Sequence, residues 1–148
     1  YENGNLRHSF EDGKDTYYNE NGSVNKIKEK ENLLESYEYY ENGNLRYSQK
    51  DGVETHYYEN GNVREIVQNG KVIESYNYYE NGNLSYSKKN NISTSYYENG
   101  KVDRIFENGE LVEAYNYFSG TDDLSTSLKN GVYTVYDTDG SIKYQHQK

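Results

Sequence analysis

Apolar and polar positions alternate in short runs that are separated by Asn-Gly and Asp-Gly turns. In residues 53–57, for example, Val53, Thr55 and Tyr57 lie on one face, and a turn follows at once. Because successive turns are mostly nine residues apart, the segments between them fit strands of about five residues and exclude helices. The pattern predicts an all-β fold: an elongated antiparallel meander of about fifteen strands, built as stacked hairpins in one sheet.

The turns are of two kinds. Glu-Asn-Gly turns alternate with tight turns at Asp12-Gly13, Asp51-Gly52, Asn69-Gly70, Asn90-Asn91, Asn108-Gly109 and Asn130-Gly131. Asn-Gly and Asp-Gly tolerate positive φ at both central positions, as a type I′ hairpin turn requires.

The chain repeats itself every 39 residues. The segment YENGNL begins at Tyr1, Tyr40 and Tyr79, and a fourth copy follows a one-residue insertion near residues 119–123. This periodicity predicts one tandem-repeat domain of about four units, 1–39, 40–78, 79–117 and 118–148. Since the chain starts inside a motif and without Met, we expect a longer array, or a signal peptide, upstream. Localisation stays open between the cell surface and the cytoplasm.

Equivalent positions of the copies define columns. The packed face is assigned to the Thr16/Thr55/Thr94/Thr134 and Tyr18/Tyr57/Tyr96/Tyr136 columns. Two aliphatic columns, Val24/Val63/Val102 and Ile27/Ile66/Ile105, stand three residues apart, which breaks strict alternation. That spacing predicts a bulge that curls the sheet, with these columns as a thin core.

Composition sets limits on this fold. Hydrophobic residues make up 32% of the chain and the mean hydropathy is -1.26, too little for a two-layer aliphatic core. Twenty Tyr and three Phe nevertheless argue against disorder. The net charge of -9, without a Lys/Arg cluster, disfavours nucleic acids and anionic membranes as partners. Cysteine is absent, and no apolar run is long enough to span a bilayer.

The segment YYENGNLRYSQKDGVETHYYENGNV, residues 39–63, resembles the variant MORN repeat of bacterial proteins. The resemblance extends from Tyr1 to about Ile142, but Val53-Glu54-Thr55 replaces the usual Gly-x-Trp/Gly element. It implies a non-catalytic scaffold or recognition surface, and many bacterial relatives are labelled antitoxin components. The chain is also similar, at the motif level, to choline-binding repeats, although it has no Trp for their aromatic cages.

The chemistry of the chain does not suggest an enzyme. His8, His56 and His146 are scattered, with no second ligand at metal-binding spacing. The Ser9/Ser48/Ser87/Ser127 column lacks a paired His, and the Asx-rich loops fit turns better than calcium sites. We therefore expect no catalytic residue, no cofactor and no bound metal.

The sharpest binding candidate is a repeated row of tyrosines edged by carboxylates. It consists of Glu35, Tyr37, Tyr39, Glu74, Tyr76, Tyr78, Glu113, Tyr115 and Tyr117. The row predicts a protein-interaction scaffold whose partner has a basic or mixed surface. Cross-strand stacking within the sheet is the structural explanation of the same row. The alternative function is a carbohydrate- or choline-type ligand module of the cell envelope. Open sheet edges predict weak self-association.

Overall fold

The computed structural model describes residues 1–147, so Lys148, the end of the fourth predicted unit, lies outside it. The strands are β1 (His8–Glu11), β2 (Lys14–Tyr18), β3 (Val24–Glu29), β4 (Asn32–Tyr39), β5 (Leu45–Lys50), β6 (Val53–Tyr57), β7 (Val63–Gln68), β8 (Lys71–Tyr78), β9 (Leu84–Lys89), β10 (Ile92–Tyr96), β11 (Val102–Glu107), β12 (Glu110–Tyr117), β13 (Leu124–Lys129), β14 (Val132–Tyr136) and β15 (Ile142–Gln147).

The strands form an antiparallel meander in which the hydrogen-bonded order is the order of the chain. This confirms the prediction of an all-β fold made of successive hairpins. Within residues 1–147 no helix is long and apolar enough to cross a membrane. The backbone divides into two compact units, Tyr1–Ser75 (unit 1) and residues from Tyr76 onward (unit 2).

The tight turns have the backbone that their sequences require. At Asp51-Gly52, for example, φ is 51° and 76° at the two central positions, as in a type I′ turn. One tight turn, at Lys30-Glu31, was missed by the sequence analysis because neither Asn nor Gly marks it. Lys30 has a φ of 55° there, a conformation that costs a side chain other than Gly or Asn about 1 kcal/mol.

The Glu-Asn-Gly turns are joined to one another by side chains. Asn42 and Asn44 both donate from Nδ2 to the Glu59 carbonyl, at 2.9 Å each, and the Tyr40 hydroxyl donates to the Tyr57 carbonyl at 2.7 Å. The same three bonds recur from Tyr1, Asn3 and Asn5 and from Tyr79, Asn81 and Asn83. The recurring Tyr and Asn residues of this motif therefore hold neighbouring turns together.

The predicted bulge is confirmed. His56 pairs with Glu65, but Tyr57 pairs with Val63, so Arg64 is an extra residue in β7. The same shift occurs at Tyr18, Tyr96 and Tyr136. It explains why the Val and Ile columns stand three residues apart, since the extra residue restores both to one face.

The interior of the sheet is polar. No hydrophobic side chain among the described residues is buried, and the Val and Ile columns expected to form a thin core are half-buried. Of the described residues, Ser127 and Thr134 are the most enclosed, at 6% and 4% exposure. Ser127 Oγ lies 3.2 Å from Tyr136 Oη. Equivalent Ser–Tyr hydrogen bonds join Ser9 to Tyr18, Ser48 to Tyr57 and Ser87 to Tyr96.

Candidate functional site

The predicted binding residues share the face of the Thr and Tyr columns. Across unit 1, Tyr37 pairs with Ser48, Ser48 with Thr55 and Thr55 with Ile66. In unit 2, Tyr115 pairs with Ser127, which pairs in turn with Thr134. In each unit we call this side the tyrosine face, defined by the members of the nine candidate residues and of the Thr column that the unit contains. Its rows of tyrosine are half-buried, with polar side chains between them.

The negative charge of Glu35, on the tyrosine face, is paired with neighbouring side chains. The Tyr37 hydroxyl donates to Glu35 Oε2 at 2.5 Å, and Lys50 Nζ lies 2.9 Å from Glu35 Oε1. The Tyr37 bond, followed by the Lys50 ammonium, holds the pKa of Glu35 below its usual value. The same bond raises the pKa of Tyr37 to about 12, because the bonded hydroxyl would lose its proton beside a carboxylate.

Unit 2 repeats this arrangement. The Tyr115 hydroxyl donates to Glu113 Oε2 at 2.5 Å, which raises the pKa of Tyr115 to about 12, and Lys129 Nζ lies 3.6 Å from Glu113. The second tyrosine of each triple bonds to a backbone carbonyl instead. Tyr117 Oη donates to the Val102 carbonyl, as Tyr39 Oη does to the Val24 carbonyl. Within each unit, the structure therefore joins the carboxylate of the triple to its first tyrosine, Glu35 to Tyr37 and Glu113 to Tyr115.

The middle triple lies in β8. Glu74 pairs with Ile66 and belongs to unit 1, whereas Tyr76 and Tyr78 belong to unit 2. All three are half-buried. Their positions in the strand correspond to those of Glu35, Tyr37 and Tyr39 in β4.

A second feature, on the opposite face of unit 1, was missed by the sequence analysis. A groove of about 490 Å³, which we call the arginine groove, has seven lining residues: Glu38, Tyr40, Arg46, Tyr47, His56, Tyr57 and Arg64. Glu38, Tyr47 and His56 form one cross-strand row, with the Tyr47 and His56 ring centroids 5.1 Å apart at 62°. Burial, followed by nearby Glu54 and Glu38, raises the pKa of Tyr47. The signal that could have found it is that no other copy has His or Arg at the positions of His56 and Arg64.

Comparison with known families gives four matches, all to the MORN repeat variant. They cover residues 34–49, 50–71, 89–106 and 129–147, about half of the chain, and each contains a turn that ends in Gly43, Gly61, Gly100 or Gly140. The chain belongs to the MORN repeat variant family. No curated protein matches it.

Each MORN variant match therefore contains a glycine turn with strand residues on both sides of it. That is half of the 39-residue repeat, in keeping with the alternation of two turn types. Proteins of this family are generally non-catalytic repeat scaffolds. Among residues 1–147, no three His, Cys, Asp or Glu side chains are grouped as metal ligands would be.

The MORN variant repeats give the tyrosine face an unusual titration. We expect Tyr37 and Tyr115 to ionise near pH 12, whereas an ordinary tyrosine has a pKa of 10.0. Since the pKa in the folded state is raised, the stabilisation by each Tyr–Glu bond is complete below pH 10 and disappears as the pH rises towards 12. NMR of chain labelled at tyrosine Cζ resolves the individual titrations.

Replacing Glu35 with Gln provides an internal control for that titration. The pKa of Tyr37 is expected to fall towards 10, while that of Tyr115 stays near 12 because its own Glu113 is intact. An unchanged pKa of Tyr37 in the Glu35→Gln variant would contradict the assignment of the shift to this bond.

Proposed function

We propose that this MORN variant protein is a non-enzymatic scaffold that binds a protein partner on its tyrosine face. The observation that carries the proposal is the lack of any buried hydrophobic side chain in residues 1–147. A sheet without a covering layer leaves its tyrosine rings half-exposed. Aromatic rings that stay partly accessible are the side chains most enriched at the centres of protein interfaces.

The charge of the chain favours a partner with a basic or mixed surface. Net charge is -9, and the Glu-Asn-Gly turns place exposed glutamates along the side of the sheet. These are Glu2, Glu20, Glu41 and Glu59 in unit 1 and Glu80 and Glu98 in unit 2. By contrast, Glu35 is only 18% exposed and already paired. On this proposal the tyrosines supply contact area, and the turn glutamates supply the attraction between opposite charges.

The test compares tyrosines on the two faces. Protein from the native source is captured on the wild-type chain, on Tyr76→Ala/Tyr78→Ala, and on Tyr47→Ala/Tyr86→Ala, which removes two tyrosines from the opposite face. The captured partner is then purified and its Kd measured with each variant. We expect the tyrosine-face variant to bind at least about thirtyfold more weakly, as for loss of an aromatic anchor worth about 2 kcal/mol.

The control variant is expected to bind as the wild type does. Circular dichroism and thermal unfolding verify that each variant is folded, and Tyr76→Phe/Tyr78→Phe keeps the rings where the alanine variant unfolds. Undiminished binding by a folded tyrosine-face variant would refute the site assignment.

A further inference from the structure

A row of eight cross-strand neighbours crosses the opposite face of unit 1, with one residue from each of the strands β1 to β8. We call it the reverse row, and in the order of pairing it consists of His8, Tyr17, Lys26, Ser36, Gln49, Glu54, Val67 and Val72. The middle of the row lies between Ser36 in β4 and Gln49 in β5. Lys26 is one strand before Ser36, and Glu54 is one strand after Gln49. The row therefore places a cation and an anion at equal distances from its middle.

The two halves of this face differ in charge. On the first half, Lys26 Nζ lies 4.8 Å from the centre of the Tyr17 ring, and within the described residues it forms no ion pair. On the second half, Glu54 Oε2 lies 4.0 Å from the His56 imidazole, and the Glu54 side chain is 40% exposed. Both arginines of the groove are bonded to other carboxylates. Lys26 and Glu54 are therefore opposite charges without a close partner of opposite charge inside the chain.

The reverse row is complementary to itself. A second copy, given a half-turn about an axis that runs parallel to the strands through the middle of the row, presents the same face with its strands in the reverse order. The half-turn sets Lys26 of each copy opposite Glu54 of the other, and Ser36 opposite Gln49. Two stacked sheets pack about 10 Å apart with their strands nearly aligned, a gap that a lysine and a glutamate side chain span together. A two-fold contact of this kind uses the same patch on both subunits.

We propose that two copies of the chain associate face to face through the reverse row of unit 1, as a two-fold dimer with two Lys26–Glu54 ion pairs. The half-turn also sets the Tyr17 ring opposite Val67, and the Val72 side chain, 56% exposed, adds apolar area at each end. Across eight strands the row extends about 34 Å, and a strip five residues wide covers about 1,100 Å² in the two copies together. That area is at the low end for specific interfaces, so the dimer is a weak one.

Unit 2 shows that the charge pair is not needed to build the hairpins. It forms the same strands and turns with Arg104 at the position of Lys26 and Tyr133 at the position of Glu54. Its corresponding row contains a cation but no anion on the other side of the middle, so it is not complementary to itself. A wholly basic or wholly acidic partner would match only half of the reverse row, whereas a second copy matches both halves.

The dimer leaves the tyrosine face uncovered. The reverse row lies on the other side of the sheet, so both copies keep their tyrosines accessible on the outside of the pair. The proposal therefore stands or fails independently of the proposed function.

Sedimentation equilibrium of the full chain over a range of concentrations tests the dimer. We expect a Kd of about 0.1 mM for the wild type, which added salt raises. Lys26→Glu and Glu54→Lys each place like charges at both contacts and are expected to weaken the dimer by at least about tenfold. An equimolar mixture of these two variants is expected to associate as the wild type does, because each new charge then faces its opposite in the other copy. The doubly substituted chain, Lys26→Glu/Glu54→Lys, should also regain the wild-type Kd.

Arg104→Glu is the matched control, because it changes the net charge as Lys26→Glu does but lies at the corresponding position of unit 2. Its Kd is expected to equal that of the wild type. Circular dichroism verifies that each variant is folded, and the second copy already carries a glutamate, Glu65, in the column of Lys26. If a charge-reversed variant does not fold, Lys26→Gln or Glu54→Gln replaces it, with a dimer still weaker than that of the wild type.

Three results would overturn the proposal. The first is a full chain that stays monomeric at millimolar concentration. The second is association that Lys26→Glu and Arg104→Glu affect equally, which would assign it to the sheet edges or to net charge alone. The third is a mixture of folded Lys26→Glu and Glu54→Lys chains that associates no better than either variant by itself.

Discussion

Replacing Thr134 with Asp is expected to lower the free energy of unfolding of unit 2 by about 3 kcal/mol at pH 7. Thr134 is 4% exposed, pairs with the enclosed Ser127, and accepts a hydrogen bond from Gln145 Nε2 at 2.9 Å. A carboxylate at this point loses its hydration in the most enclosed part of the described chain. Hydrogen exchange of β13 and β14 amides, followed against urea, measures the loss.

The same substitution at Thr16 is the matched control for Thr134→Asp. Thr16 occupies the same column but is only half-buried, so its substitution is expected to cost less than about 1 kcal/mol. Burial raises the pKa of the introduced carboxyl, so the cost at Thr134 should disappear as the pH falls below that raised pKa. Equal losses at the two positions would contradict a polar interior centred on Ser127 and Thr134.

The double substitution Asn42→Ala/Asn44→Ala is expected to destabilise unit 1 by about 2 kcal/mol. It removes two bonds to the Glu59 carbonyl and the bond from the Asn44 amide to Asn42 Oδ1. Amide exchange at the two turns, residues 40–44 and 58–62, should accelerate together because the side chains join them. Urea unfolding followed at these amides gives the change in free energy.

Asn60→Ala is the control for the Asn42/Asn44 pair. In the described structure Asn60 accepts a bond from the Asn62 amide within its own turn and donates none to a neighbouring turn. Its loss is expected to cost about 0.5 kcal/mol and to affect that turn alone. If Asn60→Ala matched the double variant, the stabilisation would lie within single turns and not between them.

The one-residue insertion shows how the repeat tolerates local change. In the fourth copy Ser119–Asp123 replaces the Glu-Asn-Gly-Asn motif, and the pair of Asn donors is lost with it. Lys101 Nζ lies 2.5 Å from Asp122 and 4.4 Å from the centre of the Tyr117 ring. An ion pair and a cation–π contact therefore join the insertion to the preceding turn.

The turns, the strand order and the bulge were predicted correctly because they depend on residues that are neighbours in the sequence. Asn, Asp and Gly adopt positive φ more readily than other residues, so Asn-Gly and Asp-Gly favour type I′ turns through their own conformational preference. The number of strands and the order of the hairpins therefore follow from the spacing of these turns. The bulge was predictable for a similar reason, since Val63 and Ile66 share a face only if one residue is extra. The turn at Lys30 was missed because there the surrounding strands impose a backbone conformation that its own residues do not favour.

The pairing of distant strands decided the rest. Glu35 looked like an open carboxylate, but its opposite residue, Lys50, is brought to it by the register of β4 and β5, and this pairing leaves the tyrosine face less acidic than expected. The groove likewise requires Arg46 and Arg64 to converge from two strands across a third. The sequence by itself determined the meander, its turns and its bulges, because these depend on neighbouring residues. Only the tertiary structure decided which charges are paired and which donors stay available, because that depends on register between strands.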